Sequence, residues 1–212
     1  MVDLKQIAED LTKGKAPEVK ELVQKAVDEG GDVEKILNEG ILAGMSVVGD
    51  RFKKNEIYVP EVLIAAKAMK QAMEVLQPFL TEKDTKRKGK IVLGTVKGDL
   101  HDIGKNLVGM MLEGAGFEVI DLGVNVAPEK FIQVAKEKSA DCAGLSALLT
   151  TTMPAMKQMI NSLNKSALKG DLKVIIGGAP VTQDYADEIG ADGYAPNAAS
   201  AVDVVKELLA KF

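Results

Sequence analysis

The stretch Ile91-Val-Leu-Gly-Thr-Val96, followed by Lys97-Gly-Asp-Leu-His-Asp-Ile-Gly-Lys105, decides the reading of this chain. Its first half is a continuous apolar run rich in β-branched residues, the pattern of a strand buried on both faces. Its second half is a polar, glycine-bearing loop that leads into a helical pattern, Lys105 to Gly114. The same grammar then repeats. Strand-like runs follow at Phe117–Leu122, Cys142–Ser146, Leu172–Ile176 and Gly193–Ala195, separated by helical patterns at Pro128–Lys138, Pro154–Leu163, Gln183–Ile189 and Ala198–Lys211. Alternating apolar strands and helices predict a parallel sheet covered on both sides. Five such units predict a flavodoxin-like, doubly wound sheet of order 2-1-3-4-5.

Upstream the grammar differs. The first ~80 residues carry helical periodicity and no strand-like alternation. Pro17 opens one helix, Gly30-Gly31 ends it, and Asp32 caps a second that runs toward Phe52. Pro60 opens a third through Val62, Ala66, Met69 and Met73. A small helical bundle is the expected fold. The charged stretch Thr81–Gly89 reads as a linker. The expected organisation is a helical domain over residues 1–84 and an α/β domain over residues 85–212.

Composition narrows the function. The chain has 212 residues, 46% hydrophobic and 27% charged, with a net charge of -4, so each half can bury a core. No basic run offers a stripe for nucleic acid. No apolar run reaches the ~20 residues of a membrane span, and the polar N-terminus lacks the apolar core of a signal peptide, so the expected location is cytoplasmic. The single cysteine, Cys142, lies in an apolar strand and reads as a structural thiol.

In a doubly wound sheet, ligands sit beyond the carboxyl ends of the strands, where the chain reverses direction across the sheet. The loop after the first strand, Gly98-Asp-Leu-His-Asp-Ile-Gly104, contains His101, the only histidine. Asp99 can hold one imidazole nitrogen and leave the other as a metal ligand. Gly98 and Gly104 permit unusual backbone shapes. One histidine cannot hold a bare metal ion, but it can ligate a metal already bound in a macrocycle. After the third strand, Ser146-Ala-Leu-Leu-Thr150-Thr-Thr-Met-Pro154 offers a row of hydroxyls or simply helix capping. After the fourth, Gly177-Gly178 forms a tight turn or admits a flat ligand. No phosphate-binding glycine motif is present.

Asp99-x-His101-x-x-Gly104, then Ser146-x-Leu148 with Thr150, then Gly177-Gly178, resembles the three-part signature of cobalamin-binding domains. Gly44-Met-Ser-Val-Val-Gly-Asp-Arg-Phe52 with Val59-Pro-Glu-Val62 is similar to the helical cap beside such a domain in methionine synthase. The pair of modules resembles the corrinoid proteins of methylamine, methanol and methoxyaromatic methyltransferase systems. The resemblance implies a cobalamin or related corrinoid, with cobalt ligated by His101. Asp99 and a hydroxyl near Thr152 would tune that ligand. Gly98, Leu100, Asp102, Ile103, Gly104, Ser146, Leu148, Thr150, Gly177 and Gly178 would line the cofactor and the slot for its nucleotide tail. Phe52, Val59 and Val62 would cover its upper face. It also implies partners: a substrate:corrinoid methyltransferase, a second methyltransferase with tetrahydrofolate or a thiol as acceptor, and a reductive activase. The cobalamin subunit of a radical mutase and a cobalamin-sensing regulator are the alternatives. A leucine at 178 is expected to block the slot without unfolding the protein.

Overall fold

A computed structural model describes residues 2–80 and 88–210. The expected domain boundary at 84/85, most of the expected linker and the last two residues of the chain lie outside them. The described residues form two compact units, one helical and one α/β; the second runs from Lys88 onward except for Gly114–Gly116, which group with the first.

In the helical unit, α1 (Leu4–Thr12) is capped by the Asp3 side chain, which accepts from the Lys5 amide. α2 (Ala16–Asp28) has Pro17 in its first turn. Asp32 then caps α3 (Val33–Lys35), as expected, accepting from the Lys35 amide. α3 runs directly into a π-helical stretch, Ile36–Leu42, and on into α4 (Ala43–Lys53). This wider turn is not visible in the sequence pattern. It places Gly40, where an added Cβ would come within 3.2 Å of Ile7, against α1. α5 (Val59–Leu76) begins with the Glu61 carboxylate accepting from the Tyr58 amide. Its buried residues are Val62, Ala65, Ala66, Ala68, Met69, Ala72, Val75 and Leu76, a broad apolar face built on i, i+3, i+4 spacing.

The α/β unit contains β1 (Lys90–Thr95), α6 (Ile103–Gly114), β2 (Glu118–Asp121), α7 (Pro128–Lys138) and β3 (Cys142–Ser146). α8 (Pro154–Leu163), β4 (Lys173–Gly177), α9 (Gln183–Ile189), β5 (Gly193–Ala195) and α10 (Ala198–Leu209) complete it. All strand pairs are parallel, in the order β2-β1-β3-β4-β5. The doubly wound sheet expected from the sequence is therefore the one observed. On one face Val92, Leu145 and Ile176 meet Phe131, Met156 and Met159, all at most 2% exposed. Each such side chain contributes about 1.5–3 kcal/mol of transfer free energy. Gly94 is required here, because a Cβ would come within 2.7 Å of the Phe131 ring. Cys142 is fully buried, and burial pushes its thiol pKa up to about 12, so it stays protonated.

Candidate cofactor site at the strand ends

The chain leaves β1 toward β2 on one side and returns to β3 on the other. The two loops at that reversal, residues 97–102 and 147–153, meet on one side chain, Asp99. It is fully buried. Its Oδ1 accepts from the His101 backbone amide at 3.1 Å and lies 2.7 Å from His101 Nδ1. Its Oδ2 accepts from the amides of Leu148 at 2.8 Å and Leu149 at 3.3 Å, and from the Thr152 hydroxyl at 2.7 Å. Burial alone would raise the Asp99 pKa, but the donors from Thr152, His101 and the Leu148 amide outweigh it and hold the carboxyl well below the usual range. The group is thus a carboxylate that can only accept. His101 Nδ1 must carry the proton, and in the neutral ring the lone pair falls on Nε2. The ring side chain is 51% exposed, so Nε2 is presented outward.

The backbone of His101 is held as well. Its carbonyl accepts from the buried hydroxyl of Thr95 at 2.7 Å. Gly98, at φ +86, donates its amide to the Asn125 side chain at 2.8 Å. The Asn125 amide donates to the Asp99 carbonyl at 2.9 Å. Lys105, in the first turn of α6, is buried, and its ammonium donates to both oxygens of Asp121 and to Asn106. These bonds tie the histidine loop to the end of β2.

Gly98, Leu100, His101, Asp102, Ile103, Leu148, Thr150, Thr152, Ser146, Gly177 and Gly178 all lie at or just past the carboxyl ends of β1, β3 and β4. Thr95, Ser146 and Gly177 sit side by side in the sheet register. Leu100 is 70% exposed and Ile103 78%, with Leu148 and Leu149 also open. Four exposed aliphatic side chains around an outward imidazole form an apolar rim. Thr150 is exposed, Ser146 half-buried and Thr152 buried against Asp99.

Two glycines differ from expectation. Gly104 lies inside α6, and its φ is not positive, so it is not required for an unusual backbone shape. A Cβ there would meet nothing within 4 Å, which leaves open space above the helix start. Gly178 has φ +137, and a Cβ would come within 1.8 Å of the Ala147 carbonyl oxygen. Its glycine is demanded by the protein's own backbone. Gly178→Leu would therefore disturb the β3 and β4 ends, contrary to the expectation that such a variant folds normally. Gly177 is less constrained, with the Ala195 carbonyl 3.0 Å from its would-be Cβ. In the helical unit, Phe52 and Val59 are half-buried and Val62 is fully buried.

This donor set suits a metal that arrives in a macrocycle. Among the described residues no three His, Cys, Asp or Glu side chains are grouped to hold a metal ion. A single tautomer-fixed imidazole can supply one metal ligand, the apolar rim can receive a flat ring, and the space over Gly104 can admit a group appended to it. Thr95, Asn125 and Leu149 escape sequence reading, because each acts through a bond between a side chain and a backbone atom. Lys105, whose side chain binds Asp121 and Asn106, carried one signal: it closes the motif-bearing loop.

Two models of B12 binding domains match the chain, one over residues 89–203 and one over residues 3–77. A corrinoid protein of Desulfitobacterium hafniense (strain Y51) is 46% identical over 196 residues, covering 91% of each chain. The dimethylamine corrinoid protein of Methanosarcina barkeri is 45% identical over 208 residues, covering 98% of this chain and 97% of that one. Among solved structures, a chain of the methanol:cobalamin methyltransferase complex MtaBC from Methanosarcina barkeri superposes with a TM-score of 0.87 at 30% identity. That match covers 97% of this chain and 79% of the other. No helix among the described residues is long and apolar enough to cross a membrane.

Proposed function

Because the chain belongs to the family of B12-binding corrinoid proteins, we propose that it holds a corrinoid through His101 and carries a methyl group between two methyltransferases. What supports the ligand assignment is the geometry of His101: Nδ1 fixed by a buried carboxylate, Nε2 turned outward in a half-exposed ring. When bound, the corrinoid supplies a cobalt centre that can accept a methyl group from one partner and yield it to another. The protein's own residues bind and tune. Asp99 keeps the ring in the tautomer with a bare Nε2, and Thr152 and the Leu148 amide keep Asp99 ionised. Leu100, Ile103, Leu148 and Leu149 would lose their exposed area to a flat ligand, which favours binding at roughly 25 cal/mol per Å². The space over Gly104 and the half-buried Gly177 belong to the same proposal, as the borders of the tail slot. Phe52, Val59 and Val62 are proposed for the upper face, the first two half-buried and Val62 fully buried. The first partner is a substrate:corrinoid methyltransferase. The second passes the methyl to tetrahydrofolate or a thiol, and a reductive activase restores inactive cofactor.

The test is reconstitution with a corrinoid. The wild type should bind one equivalent, and its cobalt(II) state should show nitrogen splitting from one imidazole in electron spin resonance. His101→Ala should lose that splitting. A wild type that binds no corrinoid, or a splitting that survives His101→Ala, would overturn the assignment.

A further inference from the structure

His101 has four hydrogen-bonding handles: a backbone amide, a backbone carbonyl and two ring nitrogens. Asp99 takes the amide and Nδ1. The carbonyl is taken by Thr95. Two residues therefore hold the whole histidine and leave Nε2 as its one open handle. Asp99 belongs to the recognisable loop motif. Thr95 does not. It is the last residue of β1, on the same sheet face as Ile91 and Leu93, and is 0% exposed.

A buried hydroxyl in an apolar strand is costly unless it is bonded. This one reaches a loop carbonyl six residues on. Its backbone is committed elsewhere: its amide donates to the Gly123 carbonyl at 3.0 Å, and its carbonyl accepts from the Val126 amide at 2.9 Å. The Thr95 hydroxyl thus projects from a backbone whose amide and carbonyl are both tied to the segment after β2, and it fixes the His101–Asp102 peptide plane relative to the sheet. Without it, that peptide could turn and the His101 backbone could shift, leaving the aim of Nε2 to the two bonds from His101 to Asp99. We propose that Thr95 is a positioning residue for the proposed axial ligand. It acts on His101 alone, through the backbone, and sets how much of the bound cofactor is histidine-ligated. This rests on the corrinoid-binding reading above.

The test uses Thr95→Val, Thr95→Ala and Thr95→Ser in the full chain. Valine removes the hydroxyl and sets a methyl against the carbonyl. Alanine removes it and leaves room, so it serves if the valine variant does not fold. Serine keeps the donor. The primary readout is the ratio of histidine-on to histidine-off cobalt(II) corrinoid, from nitrogen splitting in spin resonance. Loss of one such bond should lower the ratio roughly five- to tenfold in Thr95→Val and Thr95→Ala. Thr95→Ser should stay within about twofold of wild type. Two further measurements separate positioning from mere scaffolding. In a His101→Ala background, Thr95→Ala should leave corrinoid affinity unchanged, since its effect passes through the histidine. In the unloaded protein, the one histidine of the chain gives a single pair of imidazole ¹⁵N resonances. These should show one Nδ1-protonated ring in wild type and in Thr95→Ser, and a shifted or mixed signal in Thr95→Ala. A folded Thr95→Ala protein with wild-type ratio and wild-type ring resonances would overturn the proposal. So would an equal loss of affinity in the His101→Ala background. A wild type that binds corrinoid without nitrogen splitting would instead defeat the assignment of His101 as the ligand, and the ring resonances would still report on Thr95.

Discussion

Asp99→Asn is the sharpest perturbation of this site, because the two carboxylate oxygens have unequal duties. Oδ2 faces two backbone amides, of Leu148 and Leu149, and the Thr152 hydroxyl. Oδ1 faces one backbone amide and the His101 ring. An asparagine must put its NH₂ group on one side. On the Oδ2 side it would oppose two N–H groups that cannot turn away. On the Oδ1 side it opposes one, and the ring can change tautomer to accept at Nδ1. The amide nitrogen should therefore settle toward His101. The ring then carries its proton on Nε2, the atom that must be bare to ligate. Stability should fall by about 1–3 kcal/mol, the penalty of one buried amide left without an acceptor. Restoring the ligating tautomer would set Nδ1–H against the new NH₂. The histidine-on ratio should accordingly drop roughly tenfold to a hundredfold, the equivalent of about 1.4–2.7 kcal/mol. Losing the carboxylate's charge acts in the same direction. The assay combines urea unfolding, ¹⁵N spectra of the single histidine and spin resonance of the reconstituted cobalt(II) form. An Asp99→Asn protein with the wild-type tautomer and full ligation would refute the reasoning.

Acid should weaken the fold through the same residue. The Asp99 pKa is lowered from an ordinary value of 3.8, so its contribution is present above that value and fades as pH falls through the folded-state value. The urea midpoint should begin to drop below about pH 5 and go on dropping below about pH 3, and the drop should be smaller in Asp99→Asn; equal drops would exclude Asp99 as a cause. The glycines give a contrasting pair. Gly178→Ala forces a Cβ toward the Ala147 carbonyl at a positive φ and should cost on the order of 3 kcal/mol by denaturation, cofactor or not. Gly104→Ala meets open space within a helix, so it should keep or gain up to about 1 kcal/mol while binding corrinoid more weakly. Unchanged stability in the first, or unchanged affinity in the second, would assign that glycine the wrong role.

What the sequence revealed and what it concealed follow one physical division. β1 is buried on both faces, so its residues read as an unbroken apolar run, and the run repeats with the same helical spacing through Ala195. Periodicity of that kind is local, and it was enough to give the order β2-β1-β3-β4-β5. Asp99 and His101 were legible for a similar reason: two residues apart, they can bond within one loop. Thr95 lies only six residues from His101, yet nothing in Gly-Thr-Val distinguishes it from any β-branched strand residue. Its meaning depends on where a loop carbonyl returns. Gly178 shows the converse. Its sequence context suggested room for a ligand, but the strongest demand on it comes from Ala147, thirty-one positions earlier and one strand away. The π-helical stretch at Ile36–Leu42 was hidden because a widened turn keeps the same apolar composition and shifts only which residue faces inward. Side-chain chemistry within a loop can be read from spacing, whereas bonds from side chain to distant backbone, and the close approach of two backbones, need the fold. Accordingly, the proposed ligand could be singled out from its motif, and the residue proposed to aim it could not.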